Sequence, residues 1–173
     1  MGKKLTLVEF VNTYKEAADK CYQKYGILPE CILTQAAHES GLGQYEYQFN
    51  FFGLKANKSW TGKKQLLRTW EELPNQNYKF PEIISITPIV ENGMTKYRYV
   101  IRDYFRAYDS AEEGFNGYCD FITENKRYKK ALEVKSNAEP YLTEVAKAGY
   151  GTDSKYQKKV LDLLKAVNKI LAP

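Results

Sequence analysis

Residues 34–43 read Thr-Gln-Ala-Ala-His-Glu-Ser-Gly-Leu-Gly, and they place one carboxylate shortly before two closely spaced glycines. Pro29 suits the first turn of a helix, and Gly41 is expected to end that helix because glycine readily takes the left-handed conformation. Glu39 is therefore predicted to lie in the last helical turn. The negative end of the helix macrodipole lies there and disfavours an ionised carboxylate.

The residues before Glu39 strengthen this effect. Ile32, Gln35 and Ala36 precede it at helical spacing and place its face against apolar matter. A carboxyl group with a raised pKa keeps its proton near neutral pH and can act as a general acid. The local pattern fits a solvent-exposed glutamate paired with a lysine at least as well, so the assignment depends on the rest of the chain.

Composition limits the class of protein. The chain has 173 residues, 43% of them hydrophobic, which predicts one globular domain over residues 1–173. No apolar run approaches the roughly 18 residues of a membrane span, and no apolar block follows Lys3 and Lys4, so we expect neither a transmembrane helix nor a secretory signal peptide. Three widely spaced cysteines indicate buried thiols rather than a disulfide framework or a metal site.

Charge and aromatic content favour a sugar partner. The net charge of +5 is spread along the chain without a dense basic block, so we expect no nucleic acid partner. The 15 tyrosines and two tryptophans can stack on sugar faces while their polar tips bond hydroxyl groups. Nothing in the sequence calls for a metal or a cofactor, and we expect a monomer.

Helix signals dominate the chain. The capping box Thr6-x-x-Glu9 opens a helix over residues 7–24, and Ser110-x-x-Glu113 and Ser136-x-x-Glu139 open two more, the last ending at Gly149. Asp153 is a plausible cap for a final helix with a continuous apolar stripe: Tyr156, Val160, Leu163, Leu164, Val167 and Leu171.

Two segments are not helical. Residues 44–70 are polar, aromatic and glycine-bearing, which predicts an ordered loop region. Residues 79–106 alternate around Asn92-Gly93, which predicts a β-hairpin with a type I′-like turn. The predicted fold class is α+β, mainly helical with a small β-lobe.

Five motifs in order carry a family resemblance. They are Glu39-Ser40-Gly41-Leu42-Gly43, Asn50-Phe51-Phe52-Gly53-Leu54-Lys55, Phe105-Arg106-Ala107-Tyr108-Asp109-Ser110, Arg127-Tyr128-Lys129-Lys130-Ala131-Leu132 and Ala148-Gly149-Tyr150-Gly151-Thr152-Asp153. Together they resemble the glucosaminidase family of bacterial cell-wall hydrolases, glycoside hydrolase family 73. The resemblance implies a lysozyme-like fold, with an α-lobe and a small β-hairpin lobe flanking a cleft for the glycan strand.

The resemblance implies three catalytic residues. The family's general acid falls on Glu39, in agreement with the helix-end argument. The second carboxylate of the family lies in a T-x-E stretch, which places it on Glu71, with Glu72 as the rival and a solvated charge cluster as the alternative. Tyr150 matches the family's site tyrosine, and its alternative role is a capping aromatic.

The same resemblance implies glycan contacts for the stretch that contains Asn50, Phe52, Gly53 and Lys55. Trp60 and Tyr128 are further stacking candidates, and each of these residues has a plain structural alternative. His38 cannot share the helix face of Glu39 and is interpreted as incidental. Two departures from the family pattern are Gly151, where alanine is usual, and a long insertion around Pro81 to Met94.

The implied function is that of an endo-β-N-acetylglucosaminidase, which cleaves the β-1,4 bond between N-acetylglucosamine and N-acetylmuramic acid in peptidoglycan. The alternatives are a lytic transglycosylase on the same fold and a non-catalytic glycan-binding module. Such a protein acts on the bacterial cell wall. Without a signal peptide, delivery by phage lysis or a secretion system is expected, unless the chain has been trimmed.

Overall fold

The computed structural model describes residues 2–151 and 155–172. Within them the chain is mainly helical, which confirms the predicted fold class. The elements are α1 (Leu7–Tyr25), α2 (Pro29–Glu39), β1 (Lys64–Leu73), β2 (Glu82–Glu91), β3 (Met94–Arg106), α3 (Ala111–Glu124), α4 (Lys129–Glu133) after a 3-10 turn (Lys126–Tyr128), α5 (Ala138–Lys147) and α6 (Tyr156–Leu171).

The chain divides into two compact units. The helical unit is discontinuous and consists of Met1–Gly53 and Tyr108–Pro173, whereas the β unit is the intervening segment Leu54–Ala107. None of the helices in the described part of the chain is long and apolar enough to cross a membrane.

Helix α1 begins at the predicted residue and ends close to the predicted one. The Thr6 hydroxyl accepts the Glu9 backbone N–H at 3.2 Å, and the Glu9 carboxylate accepts the Thr6 backbone N–H at 2.8 Å, so the capping box is complete. Gly26, with φ 67°, ends the helix in the left-handed conformation one residue later than predicted.

Helix α2 lies at the centre of the helical unit. Its seven consecutive residues 31–37 are buried, and it packs against α1, α5 and α6. The helix ends at Glu39 because Ser40 closes it: the Ser40 hydroxyl donates to the Ala36 carbonyl at 2.6 Å and accepts the Gly43 N–H at 2.9 Å. Gly41 follows with φ 55°, which confirms the predicted helix end.

The β unit is a three-stranded antiparallel sheet of order β1-β3-β2. Asn92 (φ 52°) and Gly93 (φ 76°) make the turn between β2 and β3, as the I′-like turn prediction requires, and the insertion forms this hairpin. The loop predicted over residues 44–70 is wrong from Lys64 onward, where β1 begins. Its exposed positions mix the charged Lys64 and Arg68 with the apolar Leu66 and Trp70, and its partner β3 lies beyond β2 in the chain, so local sequence signals a strand weakly.

The later helices follow the predictions in part. The Ser110 hydroxyl accepts the Glu113 N–H at 3.2 Å and opens α3. The Ser136 capping box is wrong, because α5 begins at Ala138 with Asn137 before it and no side-chain cap. The short α4 and its 3-10 turn were not predicted, and Asp153 lies outside the described residues. All three cysteines are buried free thiols, as predicted.

Helix α3 packs closely against the backbone of Phe49 at Gly114. A Cβ at Gly114 would lie 2.0 Å from the backbone carbonyl oxygen of Phe49, which no side-chain rotation can relieve. Gly114→Ala is therefore expected to lower the free energy of unfolding by about 1–3 kcal/mol, despite the roughly 1 kcal/mol that alanine gains in a helix.

Chemical denaturation measures this change. Gly93→Ala is the control, since a Cβ there meets nothing within 4 Å and only the strain of a positive φ is added, about 1 kcal/mol. A Gly114→Ala protein as stable as the wild type would contradict the observed packing of α3 on the Phe49 backbone.

Candidate active site

Glu39 is the last residue of α2 and is half-buried. Its Oε1 lies 2.7 Å from the hydroxyl of Tyr156, the first residue of α6, and the same hydroxyl lies 2.8 Å from Oε1 of Gln35. Burial raises the pKa of Glu39 and outweighs the hydrogen bond from Tyr156, which lowers it. This is the direction of shift that the helix-end argument predicts, and the catalytic role of Glu39 stays a prediction.

Glu39, Tyr156 and Gln35 form a trio of hydrogen-bonding side chains that can hold the proton of the acid. Tyr156 has one phenolic hydrogen but faces two acceptor oxygens. When Glu39 is protonated, its O–H donates to Tyr156, and Tyr156 donates to the Gln35 oxygen, so both contacts are hydrogen bonds. When Glu39 is ionised, Tyr156 donates to Glu39, and the Gln35 oxygen faces another oxygen without a proton between them.

Gln35 supplies the complementary arrangement. Its buried Nε2 has no hydrogen-bond partner among the described residues. A half-turn of the amide would point this donor at Tyr156 and satisfy the trio around an ionised Glu39. The network thus has one arrangement for each protonation state, which suits a group that must release and recover a proton.

Tyr150 lies beside this trio. Its ring centroid is 6.3 Å from that of Tyr156, and burial, followed by the charge of Glu39, raises its pKa. Its hydroxyl oxygen is shielded from solvent and has no hydrogen-bond partner within residues 2–151 and 155–172. An unpartnered buried hydroxyl is costly, so a ligand group bonded to it would recover that free energy. Its proposed catalytic role stays a prediction.

Tyr156 was missed by the sequence analysis. Its place in an apolar helix stripe hid its polar tip, although it is the only residue of that stripe with a hydrogen-bonding side chain. The unusual Gly151 belongs to the same arrangement, because a Cβ there would lie 2.1 Å from the Tyr156 ring. His38 packs edge-on against this ring at 5.1 Å, so it contacts the site rather than being incidental.

The β unit holds the second predicted carboxylate. Lys55 Nζ lies 2.6 Å from Glu71 and 3.0 Å from Asp103. Burial lowers the pKa of Lys55, but these two carboxylates outweigh it and raise the pKa, so the ammonium group stays charged. Glu72 lies on the opposite face of β1, where Arg98 pairs with it at 2.6 Å. The catalytic role of either glutamate stays a prediction.

The predicted glycan contacts occupy varied environments. Phe52 is 5% exposed and stacks on Tyr118 at 4.2 Å, and Asn50 is buried. Tyr128 is fully buried, so its ring has no accessible face for stacking on a sugar in this conformation. For these three side chains the structure shows a core position.

The other three candidates, Gly53, Lys55 and Trp60, are more accessible, and Lys55 makes the ion pairs described above. Gly53 has φ 60° and open space where a side chain would stand, which leaves room for a ligand against the backbone. Trp60 donates its indole N–H to the Lys63 carbonyl at 2.9 Å, and the Arg106 guanidinium lies 4.4 Å from its ring centroid. One ring face of Trp60 is therefore covered by a cation.

Comparison with known proteins shows the family. Residues 15–169 match the glucosaminidase family model, described as mannosyl-glycoprotein endo-beta-N-acetylglucosaminidase. The chain belongs to the glucosaminidase family, which is a family of glycoside hydrolases.

Individual relatives agree with the family match. The chain is 32% identical over 167 residues to the peptidoglycan hydrolase FlgJ of Vibrio parahaemolyticus, covering 93% of this chain and 47% of that protein. It is 28% identical to the exo-glucosaminidase LytG of Bacillus subtilis, covering 87% of this chain and 48% of that protein. The chain thus spans about half the length of these relatives.

Solved structures share the fold. The glycoside hydrolase domain of Salmonella typhimurium FlgJ aligns with a TM-score of 0.67 and 25% identity, over 96% of this chain and 91% of that one. A mutant peptidoglycan hydrolase from Sphingomonas sp. A1 aligns with a TM-score of 0.69 and 28% identity, over 95% and 97%.

Burial of Glu39 has a consequence for stability. Because its pKa in the folded protein exceeds the ordinary value of 4.5, the folded state binds this proton more tightly than the unfolded state. Stability therefore falls as the pH rises from 4.5 through the raised pKa. Glu39→Gln removes this titration, so its melting temperature should exceed that of the wild type by a margin that grows toward neutral pH.

Thermal melts of both proteins across this pH range measure the margin. Their convergence in acid, where the wild-type carboxyl group is protonated in both states, is the internal control. A margin that stays constant or shrinks with rising pH would show that Glu39 is not held in its protonated form by burial.

Proposed function

We propose that this protein is an endo-β-N-acetylglucosaminidase that hydrolyses the β-1,4 bond between N-acetylglucosamine and N-acetylmuramic acid in peptidoglycan. One observation carries the proposal: Glu39 is held at a helix end, half-buried, with a raised pKa and a hydrogen-bonded tyrosine. The names of FlgJ and LytG support peptidoglycan and glucosaminidase chemistry for this chain.

In the proposed reaction, Glu39 donates its proton to the glycosidic oxygen as the bond from that oxygen to the anomeric carbon breaks. The electron pair of the bond stays with the oxygen, which leaves as a sugar hydroxyl. Tyr156 then donates its hydrogen bond to the new carboxylate, and rotation of the Gln35 amide supplies Tyr156 with a donor. Water delivers a hydroxyl group to the anomeric carbon. Its proton passes to Glu39 in the retaining route and to Glu71 in the inverting route, after which exchange with solvent returns a proton to Glu39.

The attack on the anomeric carbon has two candidate routes. Glu71 can activate a water molecule, which gives inversion and requires carboxyl groups roughly 6.5–9.5 Å apart. Alternatively the substrate's own acetamido oxygen attacks, which gives retention and leaves Glu71 as an electrostatic helper. In either route the 2.6 Å ion pair with Lys55 holds the Glu71 carboxylate in place.

The first test is the clearing of purified bacterial cell walls. Glu39→Gln is expected to clear them at least about 100-fold more slowly than the wild type, because general acid catalysis contributes on that order. Glu30→Gln, which removes a carboxylate from the first turn of the same helix, is the matched control and should keep its activity. Equal clearing by Glu39→Gln and wild type would refute the general-acid role.

The same assay extends to the second carboxylate and the product. Glu71→Gln should lose less activity than Glu39→Gln, and a larger loss in Glu72→Gln would move the assignment to that residue. Mass spectrometry of the released fragments should show hydrolysed reducing ends. Fragments lighter by one water would instead identify a lytic transglycosylase.

Removal of the Tyr156 hydroxyl is expected to change the pH dependence of activity. Its hydrogen bond lowers the pKa of Glu39, so Tyr156→Phe should raise that pKa further. The alkaline limb of the activity profile, where the acid form is lost, should therefore move to higher pH, while the maximal rate falls because the carboxyl group loses its positioning contact.

The control for this prediction is Tyr141→Phe. Tyr141 is also fully buried, and its hydroxyl bonds Tyr118 at 3.2 Å without contacting Glu39. This variant should keep the wild-type pH profile even if it is less stable. An alkaline limb that moves equally in both variants would show that the shift reports general loosening of the fold.

A further inference from the structure

The sheet of the β unit has a face rich in cations on the side opposite Glu71 and Lys55. Side chains alternate along each strand, and the exposed positions of β1 and β3 fall on this face. We call it the arginine face; its defining residues are Lys64, Arg68, Trp70, Arg98 and Arg102.

Two pairs of like charges face each other across the strands of the arginine face. Lys64 lies opposite Arg106, and Arg68 lies opposite Arg102 in the register of β1 and β3. Like charges at directly opposed positions destabilise a sheet. Arg106 donates to the Lys55 carbonyl at 3.3 Å and lies over the Trp60 ring, and Arg102 lies 3.7 Å from Glu82. Lys64 and Arg68, about 13 Å apart along β1, are therefore the cations available to an external counter-charge, and their spacing suits an extended one.

The carboxylates on this face do not neutralise it. Glu72 pairs with Arg98 at 2.6 Å, and Glu82 lies 3.7 Å from Arg102. Arg68 is exposed and makes no ion pair within the described part of the chain. Lys64 lies over the Tyr104 ring at 4.2 Å, a contact that leaves its charge uncompensated. The face therefore carries excess positive charge around Arg68 and Lys64.

An exposed indole ring lies within this charge. Trp70 is 59% exposed, and the Arg98 guanidinium lies 5.3 Å from its ring centroid. A shallow groove beside it is lined by Arg68, Thr69, Trp70, Arg98 and Val100. The exposed ring of Trp70 and the nearby Arg68, which has no ion pair among the described residues, match the two parts of an acidic sugar polymer. The ring can pack on a sugar face, and the guanidinium can bind a carboxylate.

We infer that the arginine face binds a carboxylate-bearing glycan strand of peptidoglycan, separate from the strand that is cut. This inference rests on the proposed function, which makes that polymer the protein's substrate. A second contact with the same polymer would hold the enzyme on an insoluble wall while the strand at Glu39 is exchanged. The gain is one of effective concentration, so it applies to intact walls and not to short soluble fragments.

Sedimentation with insoluble walls tests the inference. The walls are stripped of phosphate-containing secondary polymers, and every protein carries Glu39→Gln so that the glycan is not cut. Adding Arg68→Gln with Trp70→Ala should weaken binding roughly tenfold, a change of about 1.4 kcal/mol. The matched control adds Lys165→Gln with Tyr22→Ala, which removes one exposed cation and one exposed ring from the helical unit and should bind as before.

Three measurements separate a binding role of Arg68 and Trp70 from a structural one. Arg68→Gln relieves a like-charge pair, so the melting temperature should stay the same or rise while binding falls. The conservative pair Arg68→Lys with Trp70→Tyr keeps a charge and a ring and should retain most of the binding. In the active background, Arg68→Gln with Trp70→Ala should cut a soluble glycan fragment within about twofold of the wild-type rate and clear intact walls more slowly.

Several outcomes would overturn the inference. Equal sedimentation of the Arg68/Trp70 variant and the control variant would do so directly. Binding that depends on these residues only for unstripped walls would assign the face to a phosphate polymer, and binding only to a DNA oligonucleotide would assign it to nucleic acid. Failure of the wild type to cut the soluble fragment would refute the proposed function instead, whatever the sedimentation result.

Discussion

The burial of α2 on all sides is the constraint on which the helical unit depends. Neighbouring helices α1, α5 and α6 enclose residues 31–37, so the end of α2 is held where those helices meet. Fully burying Ile32 and Leu33 stabilises the fold by about 1.5–3 kcal/mol each, which offsets the cost of keeping one carboxyl group partly out of water. The same packing that stabilises the helix thus raises the pKa of Glu39.

The two predicted carboxylates lie in contrasting environments. Glu39 has a neutral phenol as its partner and a pKa raised by burial, whereas Glu71 pairs with the Lys55 ammonium group. Glycosidases that use two carboxyl groups need such a division, because one group must hold a proton while the other stays ionised. In this chain a cation lies next to Glu71 and a buried phenol lies next to Glu39, and the catalytic pairing of the two carboxyl groups stays a prediction.

Local signals in the sequence were sufficient for some elements and not for others. The capping box at Thr6 and the Asn92-Gly93 turn depend on contacts within a few residues, and both were predicted. Strand β1 was missed because its partner β3 lies far along the chain and its exposed positions mix charged with apolar residues. Position 39 could be predicted because a helix end is a local feature, but its contact with Tyr156 joins residues 117 apart and leaves no trace in local periodicity.

Features that cost stability in this protein are not scattered at random. A half-buried glutamate lies in one part of the helical unit with the Tyr150 hydroxyl and the Gln35 Nε2, neither of which has a hydrogen-bond partner in the described part of the chain. Opposed cations lie together on one face of the sheet. Each of these features departs from the usual pairing of buried polar groups and of charges in a folded protein. An isolated violation can be a tolerated accident. Under the proposed function, several violations whose chemistry is complementary to one acidic, hydroxyl-rich polymer have a common explanation, because the polymer itself would complete the missing contacts.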